Sequence, residues 1–214
     1  MNLAIFPLQL IVFPGEQVNL HIFEQRYRLL FNDLINQPQL TFGIPPVINN
    51  EIYLLGTRLK LVKVVKVYET GEMDVITEGI DAFTIHEIKE PKTVNECAFA
   101  EIELLDNNPE YDLLQFQRLE NLYDDFQSLM PEKKAIKTVK PSAFSFQIAH
   151  YIGLNEQQKI ELLSTESEEE RQDFLIQHLQ TIIPSMQSIR ETQERIIANG
   201  HFKNLDSFKF QKPE

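Results

Sequence analysis

The sequence predicts an α+β fold, in which a β-rich first half with one short helix precedes an α-helical bundle that ends in a long helix. Residues 1–106 consist mainly of short apolar runs of β type that Gly and Pro interrupt. Residues 107–214 instead carry apolar residues at helical spacing behind capping signals. The polar stretch DNNP at 106–109 suits a linker. We therefore expect two domains, 1–106 and 107–214.

The chain opens with apolar runs at 3–13, which Pro7 interrupts and which a Pro14-Gly15 turn closes. The stretch QVNLHI then predicts an extended segment. A short helix follows, because five apolar side chains recur at helical spacing and would form one buried stripe. These are Phe23, Tyr27, Leu30, Phe31 and Leu34. After this helix the Pro45-Pro46 pair excludes further helix.

Three strands are predicted next, at 57–68, 73–78 and 82–88. Thr70-Gly71 indicates a hairpin between the first two, and Gly79 allows a bend before the third. A fourth strand fits residues 96–105. In LKLVKVVKV the lysines recur at every third residue, so simple alternation cannot keep one face apolar. A β-bulge that resets the phase would explain this spacing.

The second half begins with a helix for which Pro109 suits the first turn. Its apolar positions are Leu114, Phe116, Leu119, Leu122 and Phe126. A shorter helix within 141–154 would end at Gly153, and Asn155 with Gln158 forms a capping-box pattern at the head of the next helix.

The last helix is predicted to begin behind a second capping-box pattern, Ser167 with Glu170. Its apolar seam comprises Leu175, Leu179, Ile182, Met186, Ile189 and Ile196. Pro184 should kink the helix, because proline removes an internal hydrogen bond. Asn199-Gly200 is predicted to end it.

Composition excludes several classes of function. The net charge is −12, with the acid excess spread over both halves, so nucleic acid and anionic membranes are poor partners. Cys97 is the only cysteine, which rules out an intrachain disulfide and favours a reducing compartment. Neither a secretory signal nor a membrane-spanning apolar stretch is recognisable. We therefore expect a cytoplasmic protein.

Four stretches together resemble the Lon protease N-terminal (substrate-recognition) domain family. They are FPLQLIVFPGEQVNLHIFEQRY, GTRLKLVKVV, GEMDVITEGIDAFTI and SFQIAHYIGLNEQQKIELLSTESEEERQDFLIQHL, in the family's order. The resemblance implies a PUA-like β-rich pseudobarrel followed by a helical bundle. It also implies only the recognition half of a Lon protease, since no phosphate-binding Gly-x-x-x-x-Gly-Lys-Ser/Thr loop is present. We expect a stand-alone protein without ATPase or peptidase modules, and no enzyme.

The resemblance further implies the kind of partner. The leading hypothesis is recognition of unfolded or exposed hydrophobic polypeptides in a groove between the two halves, in service of an ATP-dependent protease or of quality control. The alternative is a regulatory module that holds a small ligand in the barrel pocket. A hydrolase has almost no support, and an RNA-binding pseudobarrel conflicts with the charge of −12.

Within the opening helix we expect packing rather than a ligand site, with Glu24 and Arg28 forming an i, i+4 surface pair. Arg26 is the single candidate for substrate binding, because an arginine beside aromatic residues can bind a carbonyl or a carboxylate.

No catalytic, cofactor or metal site is predicted. The histidines at 21, 86, 150, 178 and 201 show no metal-ligand spacing. Cys97, placed in a strand, is expected to be a small apolar filler rather than a nucleophile. Glu101 and Glu103 would be solvated charges on a sheet edge. Phe202, Phe208 and Phe210 either line an exposed apolar groove or fold back on the bundle.

Overall fold

The computed structural model of the chain describes residues 1–91, 93–134, 136 and 139–206, with side chains through residue 197. Eight strands are present: β1 Asn2–Ala4, β2 Gln17–Ile22, β3 Phe42–Ile44, β4 Val47–Ile48, β5 Glu51–Ile52, β6 Leu55–Val67, β7 Met73–Lys89 and β8 Phe99–Leu104. Five α-helices accompany them: α1 Gln25–Asn36, α2 Leu113–Leu129, α3 Phe144–Ile148, α4 Glu156–Ser164 and α5 Glu168–Asp206. The predicted α+β architecture is confirmed.

The main sheet is antiparallel and follows the order β1-β8-β7-β6-β3, with β2 paired to the first part of β7. Its ladders leave it open between β1 and β3. One parallel bridge, between Ile5 and Gly43, joins these two ends, and the Phe6 amide donates to the Gly43 carbonyl at 2.7 Å. Because a single bridge is not a ladder, the sheet is a barrel that is not fully closed. The short hairpin of β4 and β5 forms a separate two-stranded sheet.

The bulge predicted in LKLVKVVKV is present twice. The pairing of β6 with β7 shifts between Leu61 and Lys63 and again between Val64 and Lys66. Three residues of β6 thus match two of β7 in each repeat. This ratio gives every lysine of the repeat a similar exposed environment, while Leu61 and Val64 pack against the core under α1.

The strands predicted at 73–78 and 82–88 form one strand, β7, whose register with β6 shifts between Gly79 and Asp81. Gly79 also has a role that only the packing reveals. A Cβ at this residue would lie 2.4 Å from the carbonyl oxygen of Phe13. The missing side chain lets the Pro14-Gly15 turn lie directly on β7, where the Gly15 amide donates to the Gly79 carbonyl and the Gly79 amide donates to the Glu16 carbonyl, both at 2.9 Å.

Other boundaries in the first half also differ from the prediction. Of residues 3–13, only those up to Ala4 form a strand; Val12 and Phe13 are buried in irregular backbone. In α1 the predicted stripe is confirmed at Tyr27, Phe31 and Leu34, and Leu30 is half-buried. Phe23 lies before the helix and is 60% exposed, so its assignment to the stripe is wrong.

Local capping hydrogen bonds mark the starts of α2 and α4. The α2 helix begins after Asp112, whose carboxylate accepts a hydrogen bond from the Gln115 amide at 2.8 Å. Pro109 therefore lies outside the helix, contrary to the prediction, and Leu114 is 74% exposed. The capping box of Asn155 and Gln158 at the head of α4 is confirmed.

The α5 helix continues through Pro184 and through Asn199-Gly200 to Asp206, so the predicted end at Asn199-Gly200 is wrong. Its seam is buried at Leu175 and Leu179 but exposed at Ile189. The reason is the length of α2, which flanks only the first part of α5 and ends where the Arg190 guanidinium donates to the Ser128 carbonyl. None of the described helices could cross a membrane.

A shared hydrophobic core joins the sheet to the helices. Ile11, Phe13 and Ala82 from the first half pack in one cluster with buried side chains of α2, α3, α4 and α5. The rings of Phe13 and Phe146 stack with centroids 5.5 Å apart. The division into domains at 106 and 107 stays a prediction.

A buried polar network sits beside this core at the start of α5. Arg171 is 1% exposed, and its guanidinium lies 3.0 Å from the Glu168 carboxylate. The same guanidinium donates to Ser145 in α3 at 3.1 Å and to Asn107 in the linker at 2.8 Å. Burial lowers the pKa of Arg171, and the Glu168 carboxylate opposes this by favouring the charged form. One ion pair thereby connects three segments of the chain.

Arg171→Met should lower the free energy of unfolding by about 3–5 kcal/mol, because it leaves the Glu168 carboxylate buried without its partner. Urea denaturation followed by circular dichroism measures the change. The double variant Glu168→Leu/Arg171→Met should be more stable than Arg171→Met alone, since no unpaired charge remains. Arg190→Ala, which removes an exposed pair, is the control. A loss below 1 kcal/mol for Arg171→Met would contradict the role given to the network.

Candidate functional site

Three neighbouring clefts lie along the seam where the sheet meets the helices, and we call them together the groove. Its first cleft has a volume of about 330 Å³ and lies between the turn at 14–17 and the α3 region. The apolar part of its lining includes Pro14 and Phe146, and the polar part includes Gln147, His150 and Tyr151. The lining thus mixes apolar surface with hydrogen-bonding groups.

The floor of the first cleft is held by contacts across the seam. The Glu16 carboxylate lies 3.1 Å from Nε2 of His150 and accepts a hydrogen bond from the Phe13 amide at 2.9 Å. The rings of Phe13 and His150 are 4.9 Å apart. Glu16 belongs to the first half and His150 to the second, so this contact joins the two walls of the cleft.

Two further clefts continue the groove. The second, of about 260 Å³, shares His150 with the first, and the third, of about 650 Å³, shares Ile48 and Glu156 with the second. The third cleft lies between the β4–β5 hairpin and the start of α4. Asn49 and Asn50 make its hairpin turn with positive φ angles of 53° and 65°, which asparagine tolerates.

Apolar side chains project from the third cleft on a fixed backbone. Tyr53 is 38% exposed and Leu54 is 58% exposed. Their backbone is anchored, because the Tyr53 amide donates to the Pro46 carbonyl at 2.9 Å and the Leu54 carbonyl accepts from Ile85 at 3.0 Å. Exposed apolar groups on a rigid frame are typical of binding surfaces.

The lining of the groove offers groups that can bind a polypeptide. Its apolar lining can bury a side chain, and its amide, imidazole and phenol groups can bond to a peptide backbone. In the described part of the chain, no three His, Cys, Asp or Glu side chains come together in a way that could hold a metal ion.

Arg26 does not line any of these three clefts. Its guanidinium lies 2.8 Å from the Glu24 carboxylate and 4.6 Å from the centre of the Tyr27 ring. Glu24 thus pairs with Arg26 and not with Arg28, which corrects the predicted i, i+4 pair. Arg28 instead reaches the hairpin at Gly71, where a Cβ would lie 2.8 Å from its guanidinium. A role for Arg26 in binding stays a prediction.

Cys97 is buried just before β8, and not within a strand as predicted. Its thiol packs near α1, with Sγ 3.4 Å from the carbonyl oxygen of Arg26. Burial raises the pKa of the Cys97 thiol to about 11, so the thiolate that a nucleophile requires is absent at neutral pH. These contacts fit the predicted apolar filler.

Four of the five histidines have described side chains, and each contacts a different hydrogen-bonding group. His21 bonds to Asp74 at 2.7 Å, His86 to Glu103 at 3.1 Å, and His178 to the Ile152 carbonyl at 2.8 Å. The fourth, His150, lies in the groove. The side chains of His201 and Phe202, and the residues Phe208 and Phe210, lie outside the described part of the chain.

Glu101 and Glu103 are solvated, but only Glu101 is covered by a neighbouring strand on both sides. The β8 strand pairs with β7 over its length and also with β1. Glu101 lies 3.7 Å from Lys89, and Glu103 lies 3.1 Å from His86. The prediction of an edge position is wrong for Glu101, which pairs with Asn2 of β1, whereas Glu103 lies beyond the residues of β8 that β1 pairs with.

The sequence did not reveal the residues that form the groove. Glu16 and His150 are separated by 134 positions, and neither belongs to a local motif. The Asn49-Asn50 pair is a hairpin signal that could have placed the wall of the third cleft. Nothing in the sequence could show that this hairpin meets α4.

Comparison with known proteins gives a family match over most of the chain. The family model described as the ATP-dependent protease La (LON) substrate-binding domain matches residues 2–181. No curated protein sequence matches. Among solved structures, a Lon N-terminal domain protein from Xanthomonas campestris is similar, with a TM-score of 0.63, 20% identity and coverage of 82% of this chain and 97% of the other. The N-terminal domain of Mycobacterium avium complex Lon protease is also similar, with a TM-score of 0.61, 16% identity and coverage of 84% of this chain and 98% of the other.

Arg26→Ala should lower the melting temperature by roughly 2–4 °C, because it removes a pair with Glu24 and a contact with the Tyr27 ring, together about 1 kcal/mol. Differential scanning calorimetry measures the shift. The control Arg190→Ala removes a helix-surface pair without an aromatic contact and should shift the melting temperature less. An Arg26→Ala protein of unchanged stability that no longer binds unfolded polypeptide would show a binding role instead.

Proposed function

The chain belongs to the family of the ATP-dependent protease La (LON) substrate-binding domain, and from this membership we propose that it binds unfolded or exposed hydrophobic polypeptide segments in the seam groove. The observation that supports the proposal is the succession of three neighbouring clefts between the two halves. Neighbouring clefts share His150, then Ile48 and Glu156, so an extended chain could follow them from the α3 region to the β4–β5 hairpin.

The lining supports a polypeptide as the occupant. An unfolded chain offers both apolar side chains and backbone hydrogen-bonding groups, and the groove offers surfaces for both. Tyr151 is 42% exposed in the first cleft and Leu54 projects from the third, so apolar anchors stand at both ends. Their backbones are already ordered, which reduces the entropy lost on binding.

In this proposal the chain recognises polypeptides without catalysing a reaction, and it acts in the cytoplasm. Unfolding or cleavage of the bound chain would fall to an ATP-dependent protease as partner. The acid excess of the protein supports a polypeptide client over nucleic acid, since it repels phosphate backbones.

A small ligand held inside the pseudobarrel is the alternative. Packing in the sheet counts against it, because the Phe83 ring occupies the space beside Gly43 and Gly56. A Cβ on either glycine would lie less than 3 Å from that ring. The interior at this level is filled by the protein's own side chain.

Variants of exposed groove residues test the proposal. Tyr151→Ser and Leu54→Ser should each weaken binding of reduced, carboxymethylated lactalbumin about fivefold, as expected for loss of about 1 kcal/mol of apolar contact. Fluorescence anisotropy of the labelled unfolded protein measures the affinity, which should depend little on salt. The control Leu114→Ser changes an exposed leucine outside the groove and should have no effect.

Two results would contradict the proposal. One is failure of the wild-type protein to bind any unfolded chain, and the other is an equal loss of affinity in Leu114→Ser. A rise in melting temperature with a member of a metabolite panel, without polypeptide binding, would favour the small-ligand alternative.

A further inference from the structure

The groove changes in charge from one end to the other. Lys140 and Glu16 line the first cleft, and Lys159 and Glu156 line the second, so each of these clefts contains one lysine and one carboxylate. In the first cleft, one oxygen of the Glu16 carboxylate also lies 3.1 Å from Nε2 of His150. The third cleft contains two carboxylates, Glu51 and Glu156, and none of the described lysine, arginine or histidine side chains lines it.

No single interaction explains why two carboxylates line the third cleft. Both residues are exposed, and neither forms an ion pair with a described Lys, Arg or His side chain. Glu156 occupies the first turn of α4, where the helix dipole favours a negative charge. That explanation does not extend to Glu51, which belongs to β5 and yet faces the same cleft.

The apolar neighbours of these carboxylates define which cation would fit. Ile52 and Tyr53 line the same cleft and are partly exposed. An arginine or lysine side chain has an apolar stem that can lie on such surfaces and a charged head that can reach a carboxylate. An aromatic ring adds attraction for the cation. Two carboxylates are fewer than the ligands a metal site uses.

Building on the proposed function, we infer that the third cleft is a subsite for a basic side chain, arginine or lysine, of the bound polypeptide. The groove then selects extended segments in which an apolar residue, held in the first cleft, is followed or preceded by a basic residue. Acidic segments are disfavoured at the third cleft, because Glu51 and Glu156 repel them. The charge difference also fixes the direction in which a segment lies.

Labelled peptides that differ only in charge test this inference. The probe is a fluorescein-labelled 12-residue peptide with two phenylalanines near one end and three identical variable residues near the other. The peptide is made with arginine, glutamine or glutamate at the variable positions. Each version is also made with the order of phenylalanines and variable residues reversed, and the order that binds more tightly is called the better-oriented one. The wild-type protein should bind the better-oriented arginine version about tenfold more tightly than the glutamate version at low salt, with glutamine between them. Added salt should reduce this difference.

The double variant Glu51→Gln/Glu156→Gln should bind all three versions with similar affinity. The matched control is Glu69→Gln/Glu161→Gln, which removes the same charge from exposed positions outside the groove and should keep the preference. Loss of the preference in both double variants would show a general effect of net charge and overturn the subsite. Circular dichroism confirms that both variants are folded.

The remaining outcomes separate this inference from the proposed function. If the wild-type protein binds unfolded lactalbumin but binds the three peptides equally, or does not bind the arginine version, the subsite is wrong and the polypeptide groove stands. If neither lactalbumin nor any peptide binds, the proposed function itself fails.

Discussion

The buried pair of Arg171 and Glu168 is the interaction on which the arrangement of the two halves depends. It lies at the start of α5 and bonds to Ser145 in α3 and to Asn107 in the linker. Buried charges are tolerated only where every partner is in place. The pair therefore allows one placement of α3 and α5 relative to the end of the sheet.

The groove follows from this placement. With α3 held near the sheet, Phe146 stacks on Phe13 and His150 meets Glu16. The same arrangement brings α4 beside the β4–β5 hairpin and so forms the third cleft. Each wall is a separate element of the chain, and binding capacity arises only where they meet. In the proposed function, affinity for a polypeptide comes from apolar contact and complementary charge.

Local signals predicted much of the secondary structure and little of the site. The capping box at Asn155 succeeded because its hydrogen bonds form between neighbours in sequence. The close approach of Gly79 to the Phe13 carbonyl was not predicted, because it is a contact between distant segments. The groove residues were missed for the same reason, and Arg26, the residue that the sequence suggested, contacts mainly its neighbours Glu24 and Tyr27.

By itself the sequence determined the α+β class, the presence of a bulge in β6 and the capping box of α4, because each of these follows from side-chain periodicity or from bonds within a few residues. The resemblance to the Lon substrate-recognition domain was also present in the sequence motifs, and the family match agrees with it. Only the tertiary structure decided that Glu16 would meet His150 and that Glu51 would share a cleft with Glu156. Contacts between residues so far apart depend on how the sheet and helices pack, and packing is a property of the whole chain.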